Sequence, residues 1–107
     1  MADQELYSGL IRLHLLYHAS REPIFGLGMI RELRRHGYRI GPGTLYPLLH
    51  RMEEKGYLRS CEQMAAGKSR RCYTATTRGR RALEQAKARV RELFDEIFED
   101  EVPPATR

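Results

Sequence analysis

The side chains best suited to recognition chemistry lie close together, between residues 41 and 58. Thr44 offers a hydroxyl, Tyr46 a phenol, His50 an imidazole and Arg51 a guanidinium. This mixture of donors and acceptors can hydrogen-bond the edges of DNA bases and hold backbone phosphates. An ordinary solvated helix face would carry the same residue types, and this segment alone leaves the two interpretations open.

A helix over about 43–55 must position these side chains. The apolar residues of the segment recur at the spacing of one helix face and are expected to pack inward: Leu45, Leu48, Leu49 and Met52. The opposite face is then exposed. Its residues are Thr44, Pro47, His50, Arg51 and Glu54, with Tyr46 at the edge.

Glycine and proline mark both ends of this helix. Gly41 or Gly43 is expected to cap its start, and Pro42 suits the first helical position because its missing N–H would have no helical partner there. Gly56 suits the left-handed residue that ends a helix. Pro47 removes one intrahelical hydrogen bond, which a helix tolerates only near its beginning.

Two further helices are predicted before this one, over about 5–19 and about 27–36. A helix that is apolar on two sides is buried on two sides, and the first helix carries two such stripes: Leu6, Leu10, Leu13 and Tyr17, and Tyr7, Ile11, Leu15 and His18. In so short a chain, the second side is expected to meet another subunit. In the second helix, Leu27, Ile30 and Leu33 are predicted to point inward.

A β-hairpin is predicted over about 57–76, with strands at 57–64 and 71–76. The connection between the strands begins with small residues and continues with basic ones, with Lys68, Arg70 and Arg71 at its end. Three helices followed by a hairpin form the order of a winged helix-turn-helix, in which the third helix enters a major groove. The basic tip is then a wing that touches DNA, and the alternative is a charged loop that serves solubility.

Two cysteines, Cys61 and Cys72, fall one in each predicted strand. A two-residue turn at Ala66 and Gly67 would place them directly opposite each other, whereas a longer loop would shift that register. Their spacing matches no zinc or redox motif. In the cytosol, which is the expected location, both thiols are expected to be reduced, with a redox switch as the minor alternative.

The last predicted helix spans about 77–100, and 101–107 is expected to be a disordered tail. Thr76 is a suitable N-cap. Arg78, Arg80 and Arg81 crowd the first turns, where cations oppose the helix dipole. Residues placed against local stability indicate another use, and phosphate contact is one candidate.

The same helix carries a heptad seam that is expected to pair with a second copy of the chain. The predicted dimer interface combines this seam with one side of the first helix: Leu6, Leu10, Leu83, Ala86, Val90, Leu93, Phe94 and Ile97. The seam is shorter than the three or four heptads typical of a coiled coil. Antiparallel pairing of the first and last helices within one chain is the alternative.

Composition limits the classes of partner. The chain has 107 residues and a formal net charge of +5, which predicts one domain and favours polyanions or acidic surfaces as partners. There is no run of about 18 apolar residues for a membrane span, and the acidic N-terminal residues are unlike a signal peptide. The chain is therefore predicted to be cytoplasmic, with no membrane partner.

No residue pattern indicates an enzyme. The sequence has no paired-carboxylate site, nucleophile elbow, metal-ligand cluster or phosphate loop. His14 and His18 are spaced to chelate a metal, but no third ligand is near them, so two packed histidines are the favoured interpretation. Gly26 and Gly28 lack the strand and third glycine of a dinucleotide fingerprint. No cofactor and no metal are expected.

Several segments, in order, resemble the PadR family of bacterial transcription regulators. They are Pro23-Ile24-Phe25-Gly26, Gly41-Pro42-Gly43-Thr44-Leu45-Tyr46-Pro47-Leu48-Leu49, Glu53-Glu54-Lys55-Gly56-Tyr57-Leu58, and Cys72-Tyr73-Thr74-Ala75-Thr76 followed by Gly79-Arg80. The similarity covers about residues 5–99. Only one helix follows the wing, which resembles the small subfamily.

The resemblance implies a winged helix-turn-helix, a homodimer built by the first and last helices, and repression from an inverted-repeat operator. It also implies release by a small aromatic or amphipathic effector. The aromatic and aliphatic residues of the first and last helices that are candidates to line an effector cavity across the dimer are Tyr7, Ile11, Val90 and Phe94. The positions predicted to contact double-stranded DNA are Gly43, Thr44, Tyr46, Pro47, His50, Arg51, Lys68, Arg70 and Arg71.

The predicted architecture is therefore mainly α with a small β-hairpin. Residues 1–76 form the winged helix-turn-helix, a three-helix core plus a wing, and 77–100 form a C-terminal dimerisation helix. The leading interpretation is a dimeric, sequence-specific DNA-binding regulator. A small-molecule sensor and a protein-interaction module without specific DNA readout are the alternatives.

Overall fold

The computed structural model describes residues 4–101 as four α-helices and one β-hairpin. The elements follow in the order α1 (Ser8–Arg21), α2 (Gly26–Arg35), α3 (Pro42–Glu54), β1 (Leu58–Ala65), β2 (Lys68–Ala75) and α4 (Thr77–Phe98). Three helices, a hairpin and a long final helix confirm the predicted fold class.

One hydrophobic core lies where the first three helices meet the base of the hairpin. Its fully buried side chains include Leu15 of α1, Leu33 of α2, Leu45 and Leu49 of α3, and Leu58 of β1. Removing an aliphatic side chain of this size from water contributes about 1.5–3 kcal/mol. The core therefore fixes which face of each helix remains outside.

The inward face of α2 differs from the prediction. Leu27, expected to be buried, is 52% exposed, and Met29 is buried instead beside Ile30 and Leu33. The helix begins at Gly26, which is also buried. A stripe through residues 26, 29, 30 and 33 follows the 3.6-residue period, so Leu27 falls on the solvent side.

Only one apolar side of α1 packs into the core. Ile11 and Leu15 are buried there together with Leu16, whereas Leu10 and Tyr17 remain exposed. The second apolar side that the sequence predicts is therefore real, and the core of the chain leaves much of it uncovered.

The hairpin is longer at its tip than predicted. β1 and β2 pair antiparallel. The first pair joins Leu58 to Ala75 and the last joins Ala65 to Lys68, so residues 68–70 belong to β2 and not to a loop. The turn consists of Ala66 and Gly67, both in the left-handed region with φ of +53° and +77°. A left-handed residue at both central positions is the requirement of a type I′ turn.

The base of the hairpin is fixed on both sides. Ile24, in the connection between α1 and α2, exchanges two backbone hydrogen bonds of 2.9 Å with Tyr73 of β2. Tyr73 and Ile24 are both buried. The tip is different, because every residue from Glu62 to Arg71 is exposed.

A disulfide joins Cys61 and Cys72 across the two strands, contrary to the expectation of two reduced thiols. The two-residue turn places these residues directly opposite each other, with 4.9 Å between their Cα atoms. That separation lies within the span that a disulfide can bridge. Cys72 is fully buried and Cys61 is half-buried.

The first turn of α4 attaches that helix to the rest of the fold. The Thr76 hydroxyl accepts a hydrogen bond of 3.0 Å from the Gly79 amide, as predicted for an N-cap, and donates one of 2.5 Å to the Gly56 carbonyl. Gly79 is buried, and a Cβ at that position would overlap the carbonyl of Tyr57. From Lys87 to Phe98, every residue of α4 is exposed.

The predicted disordered tail lies outside the described residues except for Glu101. That residue belongs to a short 3₁₀ turn, Glu99–Glu101, which follows α4 and corrects the prediction at this position. No helix within residues 4–101 combines the length and the hydropathy needed to cross a lipid bilayer.

Candidate nucleic-acid interface

The α3 residues predicted to contact DNA share one exposed face. Leu45, Leu49 and Met52 are buried beneath it, and Leu48 is half-buried against the core. The helix can expose only its other side, which carries Gly43, Thr44, Tyr46, Pro47, His50 and Arg51, all of them exposed. This face contains the hydroxyl, imidazole and guanidinium that base-edge and phosphate contacts require.

The start of α3 follows from its glycines and prolines. Gly41 is the N-cap, and its carbonyl accepts hydrogen bonds from the amides of Thr44 (3.1 Å) and Leu45 (2.9 Å). Pro42 occupies the first turn, where it leaves no helical donor unpaired. Pro47 lies inside the helix, one turn later, on the exposed side.

Tyr46 is held at the edge of this face by a glycine of α2. The tip of its ring lies against Gly26, so closely that a Cβ on Gly26 would overlap it. The residue remains 43% exposed. Gly26 therefore leaves room for the phenol against the start of α2.

The basic residues of the wing are not equivalent. Lys68 has no ion-pair partner among residues 4–101, whereas the guanidinium of Arg70 lies 4.7 Å above the Phe25 ring. Arg71 lies over the Tyr73 ring at 5.6 Å and approaches Glu53 at 3.5 Å. Stacking on aromatic rings holds a guanidinium in place and leaves its charge intact.

Glu53 connects the end of α3 to both strands of the wing. Its Oε2 accepts a hydrogen bond of 3.0 Å from the Ser60 amide, and its Oε1 lies 3.5 Å from the Arg71 guanidinium. Hydrogen bonding from Ser60, followed by the charges of Arg71 and His50, lowers the pKa of the Glu53 carboxyl against the opposing effect of its burial. The contact therefore carries a full negative charge at neutral pH.

His50 is available for contact with a ligand. Its Nε2 lies 3.7 Å from Glu54, and both side chains are 65% exposed. An exposed ion pair one helical turn apart contributes little to stability. Nothing in the fold therefore requires these two side chains to remain together.

Two of the three arginines at the start of α4, for which phosphate contact is a prediction, also contact other parts of the chain. Arg80 donates a hydrogen bond of 2.7 Å to the carbonyl of Ser20 at the end of α1, and Arg78 lies 5.3 Å above the Tyr57 ring. Both therefore have partners within the chain. Arg81 is exposed.

We call the outward face of α3 together with Lys68, Arg70 and Arg71 the recognition surface. Lys68 lies at the far end of the hairpin, and Glu53 links the base of the wing to the end of α3. Phe25 and Glu53 lie in segments that carry the family resemblance, but their roles as supports could not be predicted, because each contacts an element that is distant along the chain.

The outer arm, which we define as residues 87–98 of α4, carries half of the residues of the predicted dimer interface. Leu83, closer to the core, is half-buried and packs on it, and Ala86 is half-buried. Beyond them the seam is exposed, with Val90 at 44%, Leu93 at 49%, Phe94 at 59% and Ile97 at 58%. Leu6 and Leu10 of the predicted interface are also exposed, at 71% and 43%.

The predicted effector cavity is only partly assembled. A groove of about 890 Å³ lies between α1 and α4, and Val90 and Phe94 line it together with Leu10, Leu13, Tyr17, Leu83 and Ala86. Ile11 does not reach the groove because it is buried in the core. Tyr7 instead contacts the Tyr38 ring, with 6.0 Å between the ring centres.

A cluster of three histidines and one carboxylate forms one side of this groove. Glu32 lies 2.9 Å from His36 and 3.7 Å from His18, and the His14 ring stacks on His36 at 4.9 Å. The spacing of Glu32 and His36, one helical turn apart, could be read from the sequence. Among residues 4–101, no group of three or more such side chains is arranged to hold a metal ion.

The histidines of this cluster affect one another electrostatically. Burial is the main cause that lowers the pKa of His14, followed by the charges of His36 and His18, while Glu32 acts in the opposite direction. The hydrogen bond from His36 is the main cause that lowers the pKa of Glu32. His14 is therefore mainly neutral at neutral pH.

Comparisons with known proteins converge on one family. The profile described as "Transcriptional regulator PadR-like family" matches residues 15–85. Transcriptional regulator Rv3488 of Mycobacterium tuberculosis is 44% identical over 95 residues, which cover 89% of either chain.

Solved structures share the fold along nearly the whole chain. The crystal structure of a PadR family transcriptional regulator from Eggerthella lenta is similar with a TM-score of 0.76 and 32% identity, over 94% of this chain and 88% of that one. A PadR-like transcriptional regulator from Bacillus cereus gives a TM-score of 0.85 over 94% and 99% of the two chains. Its 24% identity supports the fold alone.

Proposed function

The chain belongs to the PadR-like family of transcriptional regulators, and we propose that it is a homodimeric repressor that recognises an inverted-repeat operator. The family and its relatives are DNA-binding regulators and not enzymes. A regulator of this kind acts on the chromosome, so the proposed location is the cytoplasm.

The observation that carries the proposal is the recognition surface. The polar face of α3 is exposed, is supported by Leu45 and Leu49 at full burial, and is linked by Glu53 to the base of a basic wing. A helix of this kind enters the major groove in helix-turn-helix proteins. Thr44, His50 and Arg51 would then reach base edges, and Lys68 would neutralise a phosphate.

Dimerisation is proposed from the outer arm. Its apolar seam is exposed in the single chain, whereas contiguous apolar patches on soluble proteins normally mark an interaction site. A two-fold axis through this contact would present two recognition helices about 34 Å apart, one helical repeat of DNA. An operator read by such a dimer must itself be an inverted repeat, because its half-sites follow the protein symmetry.

A small-molecule sensor is the second candidate function. The groove between α1 and α4 has an apolar lining that includes Val90 and Phe94, and its volume of about 890 Å³ falls in the range of ligand pockets. A planar aromatic or amphipathic effector in this groove would contact both α1 and α4, whose relative position fixes the spacing of the two recognition helices.

Selection of bound duplexes from a random DNA pool tests the central proposal. A dimeric repressor should enrich an inverted repeat whose half-sites are one helical turn apart. If no duplex is enriched over the starting pool, the protein-interaction alternative replaces sequence-specific binding.

Two substitutions separate base readout from phosphate contact on the selected duplex. We expect Arg51→Ala to weaken operator binding by about 1–3 kcal/mol with little change on scrambled DNA, because a base contact confers preference. We expect Lys68→Ala to weaken binding to both duplexes and to reduce its salt dependence. Gel shifts at two salt concentrations measure both effects, and equal losses on both duplexes for Arg51→Ala would refute its base-reading role.

Repression and its release need a second measurement. A promoter that contains the selected operator should drive a reporter less strongly when the protein is present. Calorimetry with a panel of planar aromatic compounds tests the groove. If no compound gives saturable heat, the sensor function is excluded for that class, and the DNA-binding proposal remains unaffected.

A further inference from the structure

We propose that Cys61 and Cys72 form a reversible thiol–disulfide site whose chemical partner is a low-molecular-weight disulfide, and that the bonded form orders the wing for DNA contact. The inference rests on the proposed function for its consequence, but the site itself is argued from the hairpin alone. It adds redox control to the recognition surface.

The position of the pair within the hairpin carries the proposal. On the inner side of the pair, Leu58, Tyr73 and Ala75 are buried in the core, and Ile24 bridges to Tyr73. On the outer side, every residue from Glu62 to Arg71 is exposed. The disulfide therefore lies at the boundary between the anchored half of the hairpin and the half that carries Lys68.

Beyond the contact of Arg71 with Glu53 at its inner end, the outer half has little else to hold its register. An isolated two-stranded hairpin is marginally stable in water. Its turn requires a positive φ at Ala66, a conformation that is costly for any residue with a Cβ. The tip has a hydrogen bond of 3.2 Å between Ser69 and Glu62, and the guanidinium of Arg70 lies over Phe25.

The exposure of the two sulfur-bearing residues fixes the order of the reaction. Cys61 is half-buried and Cys72 is fully buried, so an external reagent reaches Cys61 first. The Cys61 thiolate attacks one sulfur of the small disulfide and displaces one thiolate, which leaves a mixed disulfide on Cys61. The Cys72 thiolate then attacks Cys61 Sγ and displaces the second small thiolate.

The overall step is balanced. Two protein thiols and one small disulfide give one protein disulfide and two small thiols, and the protons of the protein thiols end on the released thiols. Excess small thiol drives the same steps in reverse. In a cytosolic protein, a disulfide is more often transient and redox-sensing than structural, which agrees with a pair that sits beside a functional surface and not in the centre of the core.

The expected consequence is a change in DNA affinity. With the bond formed, Lys68 and Arg70 are held at fixed positions before binding. With the bond broken, the tip must be ordered during binding, and immobilising flexible side chains and loops weakens association. We expect the reduced protein to bind the selected operator roughly tenfold more weakly than the oxidised protein.

The experiment uses the full-length protein treated either with dithiothreitol or with oxidised glutathione. Thiol titration of the denatured protein should count two thiols after reduction and none after oxidation. Hydrogen exchange should be faster in the reduced form at amides 62–71 and unchanged at 58–60 and 73–75. Operator binding is measured on the same two samples.

Two variants separate this chemistry from general destabilisation. Cys72→Ala should stop at the mixed disulfide, with glutathione bound to Cys61, whereas Cys61→Ala should not react because its remaining thiol is buried. Neither variant should change its tip exchange or DNA affinity in the way the wild type does when the redox reagent is switched.

Each outcome has one meaning. Two thiols that persist in excess oxidised glutathione overturn the site, and equal operator affinity of the two forms overturns its control of the wing. Tighter binding by the reduced form overturns the proposed direction. If neither form selects any duplex, the DNA-binding proposal fails, while thiol count and exchange still decide whether the pair is a redox site that orders the tip.

Discussion

The recognition surface and the outer arm are both exposed, but different structures lie behind them. The outward face of α3 rests on Leu45 and Leu49, which are fully buried. The outer arm has no core behind it and exposes Leu93, Phe94 and Ile97 by about half or more of their surface. A polar face on an apolar support is stable as it stands, whereas an unsupported apolar seam indicates a missing partner.

This difference distinguishes the surface for DNA contact, which a single chain supplies, from the proposed dimerisation, which needs a second chain. Residues 4–76 hold α3 and the wing in position through contacts within the chain, including Glu53 to Ser60 and Ile24 to Tyr73. No residue of the outer arm is buried in the core of its own chain. Substitutions in the two regions should therefore be distinguishable: one set changes DNA contact, and the other changes assembly.

The largest expected effect is the loss of dimerisation through the outer arm. Leu93→Asp introduces a carboxylate into the apolar seam, and an unpaired charge buried in a dimer contact costs about 3–5 kcal/mol. We expect the dimer to dissociate at concentrations where the wild type remains paired, as measured by analytical ultracentrifugation. Ala88→Asp, which adds the same charge on the opposite side of α4, is the matched control. Dimers of unchanged affinity in Leu93→Asp would place the partner surface elsewhere.

The next effect tests the link between α3 and the wing. Glu53→Ala removes the acceptor for the Ser60 amide and the partner of Arg71, and hydrogen bonds to a charged group contribute about 1.5–3 kcal/mol. Urea unfolding should show a loss of this size. Glu53→Gln keeps an acceptor oxygen but not the charge, so it should lose less. Equal losses of stability in the two variants would mean that the negative charge of Glu53 does not contribute to stability.

A smaller loss of stability is expected from a substitution at Gly26, where the Tyr46 ring lies against α2. A Cβ on Gly26 would displace the Tyr46 ring, and overpacking of this kind costs about 1–3 kcal/mol, with the lower end expected because the ring can move into solvent. Gly26→Ala should lower both thermal stability and operator affinity. Gly28→Ala has open space around its Cβ and should be neutral or stabilising. The same outcome for both alanines would remove the proposed role of Gly26.

The smallest effect lies between the two regions, in the histidine cluster beside the groove. The pKa of His14 is lowered from 6.5, chiefly by burial, so the unfolded chain takes up its proton at higher pH than the folded chain does. The contribution of neutral His14 to the free energy of unfolding is fully present above pH 6.5. It is lost as the pH falls below that value toward the lowered pKa of the folded state.

His14→Gln should therefore reduce the loss of stability between about pH 7.5 and pH 5.5. Thermal unfolding across this range measures the difference. The titratable groups that interact with His14 are His18, His36 and Glu32, and the groove lining from α4 adds Lys87, Arg91 and Asp95. His18→Gln is a second variant for comparison. Parallel pH profiles for the wild type and His14→Gln would exclude His14 as the group responsible.

Local patterns in the sequence predict the helices well. The period of the apolar residues locates the inward face of α3, and the roles of Gly41, Pro42 and Thr76 at helix ends follow from local rules that the structure confirms. The prediction for Leu27 was wrong because the buried stripe of α2 contains Gly26 and Met29 beside Ile30 and Leu33, and Leu27 lies about 100° round the helix from Gly26.

Contacts between distant segments could not be predicted in the same way. The cation of Arg70 stacks on Phe25 and that of Arg71 meets Glu53, although each pair is separated by other elements. Ile11 fits the pattern of a groove residue but is buried, because α1 has two apolar sides and the sequence cannot say which faces the core. The pairing of Cys61 with Cys72 could not be predicted either, because the sequence allowed both a two-residue turn and a longer loop between the strands.

The alternation of side chains along the hairpin has a consequence for how this wing can change in length. Inserting one residue at Ala66 or Gly67 would replace the two-residue turn by a three-residue loop, which needs a different turn geometry. Inserting one residue in each strand, on either side of the turn, would keep the turn, extend the reach of Lys68 by one rung and leave Cys61 opposite Cys72, but it would move the Lys68 side chain to the other face of the hairpin. Wings on this scaffold that keep both the turn and the face of Lys68 should therefore grow in steps of four residues, two in each strand.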